Sequence, residues 1–136
     1  MILLDTNVIA DLLGNAPGIE PEWSRRTVAA FGQPDELGCN HIVLAEIIAG
    51  SSQPEAVLDD LDRLHVDVLA LTVEAALAGG RAFGEYRRRG GRRERVLPDF
   101  LIAGHAAVMG ATLMTRDRRL ASYFPDLTLI TPETHP

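Results

Sequence analysis

Short apolar runs that stop at an acidic or hydroxyl residue, each followed by apolar residues at helical spacing, constrain this chain more than any other feature. The opening, "MILLDTNVIADLL", sets the pattern. Ile2, Leu3 and Leu4 read as a short strand buried on both faces, the kind found inside a parallel sheet. Asp5, Thr6 and Asn7 interrupt it, and Val8, Ile9, Leu12 and Leu13 then recur at helical spacing. Strand-like runs return at residues 37–39, in "VDVLAL", in "ATLMT" and in "LTLI". Helical patterns stand between them. The first covers residues 23–31. "HIVLAEIIAG" reads as a buried helix with Asn40 as cap and Gly50 as stop. "PEAVLDDLDRL" puts Val57, Leu58, Leu61 and Leu64 on one side, and Thr72 begins a longer helix. "LPDFLIAGHAAVMG" carries Pro98 in its first turn and Gly110 at its end, and "RDRRLASYF" reads as a short helix. Strands alternating with helices predict an α/β fold with a mainly parallel sheet, as one domain over residues 1–136. Asp5 then lies at the carboxyl end of a strand, the edge where open α/β sheets bind ligands, although it or Thr6 could equally cap the helix.

The chain has 136 residues, enough to bury about two-thirds of its unfolded surface in one core. No apolar stretch reaches the ~18 residues that span a bilayer. No charged, apolar and small-residue leader precedes the first strand. The single cysteine, Cys39, excludes an internal disulfide and fits a reducing cytoplasm. A net charge of −6 excludes nucleic-acid binding through bulk positive charge. All 13 basic residues are arginines, and six of them crowd into "RRRGGRRER". The absence of lysine excludes a Walker A phosphate loop. It also counts against the acid phosphatases and receiver domains that place an aspartate after their first strand, since those families use a lysine. The phosphatase pattern wants a second aspartate where Asn7 stands. No G-x-G-x-x-G follows a strand, so dinucleotide binding has no support.

Four carboxylates stand out. Glu46 is the one charge among Ile42, Val43, Leu44, Ala45, Ile47, Ile48 and Ala49. A buried carboxylate without a partner costs several kcal/mol, so it is normally paired or bound to metal. Asp99 follows Pro98 in the first turn of its helix, where the dipole favours negative charge. Asp117 follows the run "ATLMTR" much as Asp5 follows the first strand, and can cap what comes next. If those two strands are parallel neighbours, both aspartates emerge on one edge. Two like charges ~4 Å apart repel by roughly 4 kcal/mol at an effective dielectric of ~20, and a hard divalent cation removes that cost. Oxygen ligands favour Mg²⁺ or Mn²⁺; one cysteine and four scattered histidines show no zinc spacing.

"LLDTNVI", "LAEI", "PDFLIAGHA" and "LMTRD" occur in this order across nearly the whole chain, and together they resemble the PIN-domain ribonucleases. The short single-domain layout is similar to the VapC-type toxins of bacterial toxin–antitoxin pairs. The resemblance implies that Asp5, Glu46, Asp99 and Asp117 form an acidic metal site holding Mg²⁺ or Mn²⁺, with Asn7 and Thr115 in support. It implies a three-layer fold with a five-stranded, mainly parallel sheet flanked by helices, a homodimer, and inhibition by a small VapB-like antitoxin. The expected reaction is metal-assisted hydrolysis of an RNA phosphodiester, in transfer or ribosomal RNA, leaving 5′-phosphate ends. Two other functions remain open: a PIN nuclease of RNA processing without an antitoxin, and a catalytically silent PIN-like binding module.

The remaining features are less specific. Arg87, Arg88, Arg89, Arg92, Arg93 and Arg95 either guide an RNA backbone or form a solvated helix end that complements the dipole. Arg116, beside Asp117, is a candidate phosphate contact. His105 reads as a packing or surface histidine and His41 as a loop histidine. Trp23 and Phe31 read as core or subunit contact, and Ile19 and Val28, on the resemblance alone, as part of an antitoxin groove.

Overall fold

The computed structural model describes residues 1–32, 34–91 and 96–136. The first apolar run forms β1 (Ile2–Leu4), and Asp5 turns the chain into α1 (Thr6–Leu13). α2 (Ile19–Phe31), β2 (Leu37–Asn40) and α3 (His41–Gly50) follow. A 3₁₀ turn at Pro54–Ala56 leads into α4 (Val57–Arg63), then β3 (Val66–Leu69) and α5 (Val73–Arg88). α6 (Leu97–Met109), β4 (Thr112–Met114), a second 3₁₀ turn (Ala121–Tyr123) and β5 (Thr128–Ile130) complete the chain.

The five strands form one sheet in the order β3-β2-β1-β4-β5, with every neighbouring pair parallel. The expected α/β architecture is therefore present. The chain builds outward from β1 through β2 to β3, then returns over the sheet to place β4 on the other side of β1. Right-handed crossovers running in opposite directions put helices on both faces, and the crevice opens where the direction reverses, between β1 and β4. Ile2, Leu3 and Leu4 pair with Thr112, Leu113 and Met114. The residues just past this register, Asp5 and Thr115, thus stand side by side at the carboxyl edge.

Local chemistry accounts for the helix ends. The Asn40 side chain accepts from the Ile42 and Val43 N–H groups at the start of α3, as the sequence predicts. Thr72 caps α5 through the Ala75 N–H. Gly110 closes α6 in the left-handed conformation at φ 65°, which a residue without Cβ adopts freely. The core is built from β1, α1 and α6, with Leu3, Leu4, Val8, Ile9, Phe100 and Met114 all buried. Phe100 lies 5.3 Å from the rings of both Phe83 and Tyr86, so aromatic packing joins α5 to α6.

Three expectations need correction. α3 is not buried all round: Val43 is buried, Ile42, Leu44 and Ile47 are half-buried, and Ala45 and Ile48 are exposed. It packs against α1, α6, β2 and β3 through one face and leaves the other exposed. Leu58, expected on the apolar side of α4, is 55% exposed, while Val57 and Leu61 are buried. "RDRRLASYF" forms no α-helix. The Asp117 side chain takes the Arg119 N–H, and the Ala121, Tyr123 and Phe124 N–H groups each bond three residues back, before Pro125 ends the turn.

Candidate active site

Asp5 is held by its neighbours on both oxygens. Oδ1 accepts the Thr6 N–H at 2.7 Å. Oδ2 accepts the Thr115 hydroxyl at 2.7 Å and, more weakly, the Asn7 amide at 3.4 Å. The Asp5 N–H donates to the Met114 carbonyl at 3.0 Å, continuing the β1–β4 ladder. The strand pairing that builds the sheet therefore brings Thr115 onto Asp5, although the two lie far apart in sequence.

Glu46 projects from the middle of α3 and accepts the Thr6 hydroxyl at 2.6 Å. Asp99, in the first turn of α6, accepts the Val96 N–H at 3.4 Å. This is half of a capping box, because Val96 has no side-chain oxygen to return the bond. Burial pushes the Asp5 carboxyl above its usual range. The Thr115 and Thr6 hydrogen bonds oppose that shift, and the charges of Asp99 and Glu46 add to it. The structure thus brings Glu46 of α3 and Asp99 of α6 within electrostatic reach of Asp5, the cap of α1.

Asp117 lies beyond Thr115, whose hydroxyl accepts the Asp117 N–H at 3.0 Å. Its carboxylate receives Arg119 through Nε at 3.0 Å and Nη2 at 3.1 Å. Among the described residues, no three carboxylate, histidine or cysteine side chains stand close enough to grasp one ion together. The donor chemistry fits a hard divalent cation: all-oxygen ligands, and a buried carboxyl whose ionisation two neighbouring acids oppose. A positive charge there would relieve that opposition.

The supporting positions form one network. Asn7 donates to Thr115 Oγ1 at 3.4 Å and accepts the Arg116 N–H at 3.1 Å. The Arg116 guanidinium is engaged by Asp11 and Glu20. Asp11 has no place in the sequence reading, although it is the one charge in α1; that isolation was the available signal. A groove of about 470 Å³ opens beside Thr6 and Glu46 and runs to Ser51, Gln53 and Asp60, with Leu13, Ile47 and Val57 also in its lining.

The other sequence candidates fall away from this cluster. Arg87 and Arg88 lie in the last turn of α5 and Arg89 caps it. Arg88 and Arg89 pair with Glu85, and Arg87 and Arg89 lie over the Phe83 and Tyr123 rings. Arg92, Arg93 and Arg95 lie outside the described residues. His105 is buried and accepts from Asn40 at 3.2 Å. Trp23 is buried and donates to the His135 carbonyl, and Phe31 meets the His135 ring edge-on, so both pack within the chain. Ile19 is 89% exposed. Burial pushes the Cys39 thiol up to about 11, which leaves it protonated and unreactive.

Comparison with known proteins gives a consistent result. The PIN domain family model matches residues 2–123. The chain is 36% identical over 121 residues to Ribonuclease VapC32 of Mycobacterium tuberculosis, covering 88% of this chain and 87% of that protein. It is 29% identical over 127 residues to Ribonuclease VapC19 of the same organism, covering 93% and 97%. Among solved structures it is similar to DNA-bound VapBC from Salmonella typhimurium, with a TM-score of 0.72, 26% identity and 96% of each chain covered. It is also similar to VapBC-1 from nontypeable Haemophilus influenzae, with a TM-score of 0.72, 27% identity, and 96% and 98% covered.

Proposed function

The chain belongs to the PIN-domain family, and from that premise we propose that it is an endoribonuclease toxin neutralised by a VapB-like antitoxin, with its chemistry centred on Asp5. The relative VapC32 is named a ribonuclease, and the structural neighbours are VapBC assemblies. What supports the site is that Asp5, at the point where the strand order reverses, is buried, held by Thr115 and Thr6, and feels the charges of Asp99 and Glu46.

A bound Mg²⁺ or Mn²⁺ would supply Lewis acidity toward a phosphate oxygen and toward water. Asp5 and Asp99 would hold it, with Glu46 and Asp117 completing the acidic set. Thr115, Thr6 and Asn7 fix the Asp5 carboxylate, so its lone pairs point in one direction before any ligand arrives. Thr6 does the same for Glu46. No side chain at the site is an activated nucleophile. In this reading a water and not the RNA 2′-hydroxyl attacks the phosphate, and the expected products carry 5′-phosphate ends. In this reading the protein acts as a homodimer. Among the described residues, no helix is long and apolar enough to cross a membrane.

The test is sequencing of RNA 5′ ends after brief induction of the wild type, with Asp5→Asn as control. New discrete 5′-phosphate ends that the variant lacks are expected. Products with 2′,3′-cyclic phosphate would overturn the hydrolytic route. Unchanged RNA from folded, partner-free protein would turn the assignment toward a PIN-like binding module.

A further inference from the structure

Arg116 sits between the two residues that matter most on the β4 side of the cleft, Thr115 and Asp117. Its backbone and its side chain are both gripped by one face of α1. Asn7 accepts the Arg116 N–H at 3.1 Å. Asp11, one helical turn further along, takes the guanidinium fork: Nε to Oδ2 at 2.9 Å and Nη2 to Oδ1 at 3.2 Å. The Asp11 side chain is only 8% exposed, and the Ser24 hydroxyl of α2 also donates to it. Glu20 of α2 takes the remaining Nη1. A two-pronged, largely buried arginine–carboxylate pair fixes orientation as well as distance.

We infer that Asp11 and Arg116 are positioning residues for the cleavage reaction, clamping residues 115–117 onto α1. The clamp acts through contacts already in place. Held at Arg116, the segment presents the Thr115 hydroxyl to Asp5 Oδ2 at 2.7 Å, and sets the Asp117 backbone on that same hydroxyl at 3.0 Å. Asn7, shared between Arg116, Thr115 and Asp5, ties the clamp to the carboxylate. In this arrangement Arg116 serves the protein's own acids and not a phosphate of the substrate. The inference rests on the ribonuclease reading and on Asp5 as its centre.

The experiment compares Asp11→Asn, Arg116→Gln, Arg116→Lys and the double variant Asp11→Asn/Arg116→Gln with wild type and Asp5→Asn. The substrate is an RNA oligonucleotide spanning the mapped cleavage site, and folding is followed by circular dichroism. A lost clamp lets the segment shift by a fraction of an ångström, so kcat is expected to fall between about 10- and 100-fold in each single variant. KM stays within about twofold, because no contact to RNA has been removed. The double variant is expected to be no slower than either single one, since both remove the same clamp. Arg116→Lys keeps the charge beside Asp11 but loses the fork. It folds without stranding a buried acid and shows an intermediate kcat.

A rise in KM confined to Arg116→Gln, with the salt slope of RNA binding reduced by about 0.7 to 0.9, would make Arg116 a phosphate contact and overturn the clamp. Folded variants with lowered melting temperature but wild-type kcat, or a fully active Arg116→Lys, would overturn it too. Failure of the underlying reading looks different: wild type would cleave nothing, or Asp5→Asn would cleave as well as wild type.

Discussion

Asp5 is expected to cost the metal-free protein stability. Its folded pKa is raised, chiefly by burial, so the folded chain binds the Asp5 proton more readily than the unfolded chain does. The resulting stability is present at low pH and is lost as pH rises from about 3.8 through the raised folded value. With a chelator present, the melting temperature of wild type should fall across that window, and Asp5→Asn should remove the fall. At neutral pH the variant should melt a few degrees higher than wild type while losing cleavage. Mn²⁺ should raise the melting temperature of wild type and leave the variant unmoved; equal stabilisation of both would remove Asp5 from the ligand set. His105 works in the opposite direction. Asn40 Oδ1 is committed to two N–H groups of α3, so its amide must donate, and His105 Nδ1 must accept. The ring is therefore neutral with its proton on Nε2. Burial first, and then His41, lower its pKa from 6.5. Stability should fall as pH drops below about 6.5, levelling off below the folded value. His105→Gln keeps an acceptor for Asn40 and should abolish that acid slope in thermal melts. Asp5 was legible as a candidate site residue because its break from an apolar strand is local. Asp11 was not, because its partner Arg116 is 105 residues away and only the fold brings them together.

At the scale of elements, α6 matters most, because it carries Asp99. Beyond the aromatic contact at Phe100, it meets α5 backbone against backbone at Gly79 and Gly104. A Cβ on Gly104 would lie 2.7 Å from the Gly79 backbone nitrogen, and one on Gly79 would lie 2.7 Å from the Phe100 carbonyl oxygen. Backbone cannot yield as a side-chain tip can. Gly104→Ala should therefore cost about 1–3 kcal/mol by forcing the helices apart, measured by chemical denaturation, and cleavage should fall with it as Asp99 moves. A variant as stable and active as wild type would show that the crossing can adjust. The helix starts at Asn40 and Thr72 and the stop at Gly110 could be read from the sequence, since each cap is completed within a few residues. What misled was environment. Ile48 and Leu58 carry the right period but lie on outward faces. The arginine-rich stretch after Asp117 has helical composition, yet a side-chain turn at Asp117 draws it into 3₁₀ geometry.

Across the whole molecule, β1 is the middle strand, paired with β2 early in the chain and with β4 near its end. The four acids of the proposed site are drawn from residues 5, 46, 99 and 117, so no contiguous piece would hold it. A chain ending at residue 110 is expected to lack all cleavage activity and to melt without a cooperative transition, because one edge of β1 stays open; activity in that fragment would contradict the placement of Thr115 and Asp117. The count of five strands came from the family resemblance, but the mainly parallel sheet was legible because strand-like runs alternate with helical spacing along the chain. The strand order was not, because it depends on a return crossover that leaves no local mark. That order has a consequence during synthesis. While the ribosome is still making the chain, β1 and Asp5 emerge first and wait, with half of their surroundings not yet translated. Only when the segment after β4 docks does Thr115 reach Asp5, so the proposed acidic set is assembled only after β4 has been made. Ribosome-stalled chains that stop before residue 112 are therefore expected to leave RNA uncut.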